Sequence, residues 1–192
     1  MLLLLSPIAA EAQDGSAAHS ILLKTLALIQ NPGGAQMDYH LRVAFYTKQG
    51  HIIFKGEKFR RESKKTIDWF DGNTFWTLSK SSNVCKIQRP KKHTDQNLAS
   101  MMNSIHSGCT YTMKDQGAAW RIRIKAKASS AKIREAEVLV SKANYAPPQL
   151  RVKLGLLWAN ITLSNFDTDS FSDHTFQFDP HKYPNAKIVD KR

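Results

Sequence analysis

Apolar and polar residues alternate along most of this chain. In AWRIRIKAK, residues 119–127, Trp120, Ile122 and Ile124 interleave with Arg121, Arg123 and Lys125. That two-residue period is the mark of a strand with one apolar and one solvated face. Leu150, Val152 and Leu154 alternate with Arg151 and Lys153 in the same way, and Ile161 and Leu163 recur within WANITLSN. Nearer the start, Leu41, Val43 and Phe45 fall on one face of MDYHLRVAFYTK, residues 37–48, and Gln49-Gly50 reads as the turn that ends it. Ile52, Ile53 and Phe54 open a second strand, which Lys55-Gly56-Glu57 interrupts as a bulge before KFRRES. The run 65–90, KTIDWFDGNTFWTLSKSSNVCKIQRP, predicts a meander. Ile67 and Trp69 share a face, Asp71-Gly72-Asn73 turns the chain, Phe75 and Trp76 lie on the return strand, and Ser81-Ser82-Asn83 turns it again.

Two stretches carry a helical period instead. In residues 16–30, Ile21, Leu22, Thr25, Leu28 and Ile29 form an apolar face, and Asn31-Pro32-Gly33-Gly34 stops the helix. In residues 97–107, Leu98, Met101, Met102 and Ile105 predict a short helix, which is either an adaptable Met-bearing surface or an ordinary core-facing element. The pattern gives about nine to eleven strands with two or three short helices. Tight turns between successive strands imply an antiparallel sheet. A large sheet with one apolar face must curl and be covered, and only the two helices are available as covers. The expected fold is mainly β with a few helices (α+β): a curved antiparallel sheet forming an incomplete β-barrel under a helical lid. Mouths of such barrels commonly host apolar ligands.

The chain's 192 residues suit one domain. Residues 1–12 read as a secretory signal that lacks its basic n-region, with Ala10-Glu11-Ala12 as the small-x-small cleavage site. A single domain is then expected over 13–192, in the compartment beyond the inner membrane. The formal charge of +12 is compatible with nucleic acid, anionic lipid or a highly charged soluble surface. The cations are dispersed, and the densest run is only Arg89-Pro90-Lys91-Lys92, which argues against nucleic acid. Cys85 and Cys109 either form a disulfide or remain two thiols.

Catalytic patterns are missing from the sequence. There is no Gly-rich phosphate loop and no G-x-S-x-G, and none of the seven histidines stands at metal-ligand spacing from another. Ser129-x-x-Lys132 falls in a polar turn without companion motifs. Asp68 and Asp71 are explained by hairpin chemistry, and the Asn160-Ile161-Thr162 sequon by its strand. No catalytic residue, metal or cofactor is expected, so binding is favoured over chemistry.

Four features resemble the outer membrane lipoprotein carrier (LolA-like) family. These are the signal followed by an amphipathic helix, the strand GHIIFKGEKF at 50–59, the hairpin IDWFDGNTFW at 67–76, and the ending FQFDPHKYP with IVDKR at 188–192. The resemblance implies an unclosed barrel with a lid and no enzymatic activity. By the same resemblance a monomeric periplasmic carrier would accept acylated lipoproteins from an inner-membrane lipoprotein-releasing complex and pass them to an outer-membrane acceptor. Acyl-facing candidates are Leu41, Val43, Phe45 and Ile53 in the first strands and Ile67, Trp69 and Trp76 in the meander. Met101 and Met102 join them from the second helix, and Trp120, Ile122, Ile124, Val152, Leu154, Ile161 and Leu163 from the later strands. Lys55 stands where the family places a gating arginine, and Arg60 and Arg61 are the other gating candidates. The alternatives are a carrier of free lipid or glycolipid, a secreted hydrolase and a nucleic-acid binder.

Overall fold

The alternating segments pair side by side into one sheet. The computed structural model describes residues 7–89, 108–128, 131 and 133–192, with side chains from residue 15 onward. Helix α1 spans Pro7–Ile29. The first six strands are β1 (Ala35–Val43), β2 (Tyr46–Lys55), β3 (Lys58–Ser63), β4 (Thr66–Phe70), β5 (Phe75–Ser79) and β6 (Val84–Gln88). The other six are β7 (Cys109–Asp115), β8 (Ala119–Ala126), β9 (Glu135–Ser141), β10 (Gln149–Leu154), β11 (Leu157–Thr168) and β12 (Lys187–Asp190). They form a single open, curved 12-stranded sheet in the order β12-β6-β5-β4-β3-β2-β1-β11-β10-β9-β8-β7. All described pairings are antiparallel except that of β12 with β6.

Several boundaries differ from the sequence reading, each for a physical reason. Helix α1 begins at Pro7 rather than Ser16. Val43 pairs with Tyr46, so the first reversal is at Ala44-Phe45, with Ala44 in the left-handed region at φ 48°. Gln49-Gly50 lies inside β2. The glycine serves close packing there, because a Cβ would sit 2.0 Å from the Glu62 carbonyl oxygen and 3.0 Å from the Tyr39 hydroxyl. Lys55 pairs with Lys58, so Gly56-Glu57 is a hairpin turn and not a bulge. The segment around Thr175–Phe178 forms a 3-10 turn, Asp173–Phe176, that drives Phe176 to complete burial. The predicted helix at 97–107, with Met101 and Met102, lies outside the described residues, as do Ser129, Lys132 and the first six residues.

The sheet changes which face is apolar partway across. Ala18 and Leu22 of α1 pack against Ile122, Ile124, Val138, Val140, Val152 and Ala159, which defines the inner face. Cross-strand pairing carries that face from β2 through Ile52, Arg61, Asp68, Thr77 and Lys86. On β4–β6 the inner face is therefore largely polar. The apolar residues Ile67, Trp69, Leu78 and Cys85 point outward instead, where Phe178 buries them together with Tyr183 and Ala186. On the far half the outer face is ionic: Glu135 pairs with Arg123 and Lys153, and Glu137 with Arg121 and Arg151. Among the described residues, the C-terminal stretch thus covers one half of the sheet and α1 the other.

Candidate ligand-binding face

The inner face holds an apolar row that its own cover leaves incompletely buried. Leu41 of β1 lies opposite Ile161 of β11, which in turn faces Leu150 of β10. Tyr39 faces Leu163, and Val43 faces Ala159. Leu41, Val43, Leu150, Ile161 and Leu163 are all half-buried, whereas Ile122, Ile124 and Val152 beside them are sealed under α1. Among the described residues, these side chains prefer burial and have too few atoms over them to bury them.

The helix over this face is tethered at identifiable points. Thr25 Oγ1 donates to the Tyr145 carbonyl at 2.9 Å, and Lys24 Nζ donates to the Tyr145 hydroxyl at 3.1 Å. The Tyr145 ring stacks on Trp120 with centroids 6.0 Å apart. After α1, Gly34 takes φ 109°, and a Cβ there would lie 2.7 Å from the Phe54 carbonyl oxygen. Asp169 N–H donates to the Gly34 carbonyl and Phe171 N–H to that of Gly33, at 3.3 and 3.0 Å. The helix exit is therefore bound to the stretch that follows β11.

Beside the apolar row lies a polar island. Arg61 donates through Nε and Nη2 to Asp68 Oδ2 at 3.0 and 2.7 Å, and Thr77 Oγ1 donates to Asp68 Oδ1 at 3.0 Å. The Tyr39 hydroxyl is buried without a hydrogen-bond partner among the described residues. Burial pushes its pKa up, with Asp68 adding to the shift and Arg61 opposing it. Lys48, on the same face, is held below its ordinary range by burial and then by the Arg61 charge. The island therefore carries two cations against one carboxylate.

The predicted residues separate into distinct places. Leu41, Val43, Trp120, Ile122, Ile124, Val152, Leu154, Ile161 and Leu163 share the inner face, three of them as closed core. Phe45 is not on that face: the Ala44-Phe45 turn puts it at a hairpin tip, 105% exposed. Ile53, Ile67, Trp69 and Trp76 alternate onto the outer face, because Phe54, Phe70 and Phe75 next to them occupy the inner one. Of the gating candidates, Lys55 Nζ donates to the Phe171 carbonyl at 3.0 Å and lies 3.5 Å from Asp173, on the outer face. Arg60 pairs with Glu62 at 2.7 Å, also outside, and Arg61 alone points inward. Cys85 is sealed in the outer cluster, where burial raises its thiol pKa to about 11, and Cys109 lies on the far edge strand, so no disulfide joins them. Asp71 Oδ1 accepts from the Asn73 and Thr74 N–H groups, which is turn chemistry. No group of three or more His, Cys, Asp or Glu suited to a metal occurs among the described residues.

Sequence reasoning missed Tyr39, Lys48, Asp68 and Thr77 as inner-face residues. Polar positions in a strand read as solvent-facing. Only the register, with Arg61 opposite Asp68 and Asp68 opposite Thr77, reveals them.

The sequence profile of the outer membrane lipoprotein carrier protein LolA family matches residues 8–156. No curated protein matches the chain significantly. The chain is similar in structure to an uncharacterized conserved protein from Thermus thermophilus, with TM-score 0.59 and 12% identity over 91% of this chain and 99% of that one. That likeness shows a shared fold. A LolA superfamily protein from Nitrosomonas europaea aligns with TM-score 0.45 and 10% identity over 84% of this chain and 97% of its own. The lipoprotein LppX from Mycobacterium tuberculosis aligns with TM-score 0.48 and 11% identity over 81% and 99%.

Proposed function

Because this chain belongs to the outer membrane lipoprotein carrier family, we propose that it is a non-enzymatic carrier that shields the acyl chains of lipoproteins on the inner face of its sheet. The observation that carries this reading is the half-buried apolar row Leu41, Val43, Leu150, Ile161 and Leu163. An acyl chain laid on that row gains about 0.8 kcal/mol for each CH₂ removed from water. The preformed sheet lowers the ordering cost that opposes it. In this reading residues 1–12 direct export, residues 13–192 form one carrier domain in the periplasm, and cargo passes from an inner-membrane releasing complex to an outer-membrane acceptor.

A second reading keeps the acyl site and changes the cargo to a free lipid with an anionic headgroup. Lys48 and Arg61 favour it, because they place surplus positive charge beside the apolar row. One experiment separates the two. Purified protein is extracted for bound lipid and analysed by mass spectrometry, then tested for release of lipoproteins from inner-membrane vesicles. Lipoprotein release that is lost in Leu41→Asn/Ile161→Asn supports the first reading. Co-purified phospholipid or glycolipid without release supports the second. Absence of both bound lipid and release refutes the carrier.

A further inference from the structure

The strand connections divide between two ends of the sheet, and the two ends differ in chemistry. Five connections share one end: residues 44–45, 64–65, 80–83, 127–134 and 155–156. Antiparallel pairing forces this, since β1 ends where β11 begins and β8 ends where β9 begins. Every charged residue in these five segments is basic; the described ones, Lys64, Lys65, Lys80, Lys127 and Arg134, are all exposed. The opposite end carries Glu57 and Asp71 in its turns, and Lys142 there is paired with Asp115; at the basic end Lys80 is paired with Glu62 of β3.

At the centre of the basic end stand two apolar tips. Phe45 caps the β1–β2 hairpin at 105% exposure, and Leu156 caps the β10–β11 hairpin at 96%. Because β1 pairs with β11, the hairpins are neighbours. Tyr46, Leu154 and Leu157 at the bases of the same turns are 58, 49 and 52% exposed. Surface apolar residues scattered singly are ordinary. Five gathered on two adjacent turns, at the end whose turns hold no carboxylate, are not scattered. Turn tips also favour polar residues, so Phe and Leu there oppose local propensity.

We propose that this end of the sheet docks on an anionic bilayer surface, with Phe45 and Leu156 entering the headgroup–acyl boundary and the surrounding lysines resting on phosphates. Charge complementarity commits the occupant to a membrane. The cations are spread along a row of turns spanning the sheet, matching an extended plane of negative charge, while the apolar part is only two projecting tips. No helix among the described residues is long and apolar enough to cross a membrane. The inference does not depend on which cargo the inner face carries.

The test is co-sedimentation of the full chain with phosphatidylcholine vesicles, with and without phosphatidylglycerol. Wild type binds the anionic vesicles, binds neutral ones much less, and is released by salt. Phe45→Ser/Leu156→Ser weakens binding on the order of tenfold per tip. Lys64→Gln/Lys65→Gln weakens it by roughly fivefold per lysine, on anionic vesicles only. Phe45→Leu, which keeps an apolar tip, retains binding. All four side chains are exposed, so the variants melt like wild type, and acyl binding in vesicle-free solution is unchanged. Binding of wild type to neither vesicle, equal binding to both, or full retention in Phe45→Ser/Leu156→Ser overturns the proposal.

Discussion

Replacing Trp69 by Ala separates the two apolar faces in one measurement. Trp69 is 3% exposed. Its ring meets Phe178 edge-on at 5.5 Å and Tyr183 at 5.6 Å, and those two rings stack on each other at 5.6 Å. Truncating a buried Trp to Ala costs about 3–5 kcal/mol. The upper part of that range is expected, because the lost ring is the surface on which the C-terminal stretch lies, and the edge contacts contribute beyond area burial. For a domain of this size, 1 kcal/mol moves the melting temperature by about 2–4 °C, so a fall on the order of 10 °C follows. Thermal and urea unfolding by far-ultraviolet circular dichroism read the stability, and a fluorescent fatty-acid probe reads the inner face below the transition. Trp69→Ala should be strongly destabilised and still bind the probe while folded. Ile161→Asn, on the half-buried row, should lose the probe with a much smaller change in melting. A Trp69→Ala protein that melts like wild type, or that stays folded and loses the probe, would refute the assignment of faces.

Two further outcomes follow from the ion pairs. Asp68 is 5% exposed and is the carboxylate that Arg61 donates to, so Asp68→Asn leaves a half-buried cation uncompensated. Removing one partner of a fully buried pair costs about 3–5 kcal/mol; Arg61 keeps some exposure, so about 2–3 kcal/mol is expected in urea unfolding, with Arg61→Met/Asp68→Leu recovering most of it. Glu62 has its pKa lowered, chiefly by the Lys80 hydrogen bond with Arg60 assisting against burial. A carboxylate with a depressed folded pKa stabilises above its unfolded value and loses that contribution as pH falls through the folded one. The stability gap between wild type and Glu62→Gln, followed by melting at stepped pH, should therefore close as pH drops below 4.5; a gap that widens on acidification contradicts the pairing.

The strands of the second half were legible because their alternation is regular. Arg121, Arg123, Arg151 and Lys153 do lie opposite their apolar neighbours, and Ile122, Ile124 and Val152 are core. The reversal at Ala44-Phe45 was not legible, since neither residue signals a turn. Gln49-Gly50 does, and drew the boundary to itself, although Gly50 is there to admit the Glu62 backbone. The choice of face was harder still. Period-two alternation says that Ile67 and Trp69 share a side, but not which side α1 occupies. That was decided by Phe178 and Tyr183, more than a hundred residues later, whose stretch has no period at all. The polar island stayed hidden for the same reason: Arg61, Asp68 and Thr77 look like ordinary solvated positions until Ile52 fixes their side.

The pairing of β1 with β11 bears on how the chain can be made. Ala35 pairs with Thr168 and Val43 with Ala159, so the central seam joins segments separated by most of the sequence. The outer cluster around Trp69 likewise waits for Phe178, and β6 waits for β12. A nascent chain lacking residues 157–192 has β1 paired on one side only and Trp69 uncovered. Such long-range closure slows folding and delays it until residues 157–192 are available. The order of strands therefore keeps the emerging polypeptide from acquiring its native form before residues 157–192 have been made.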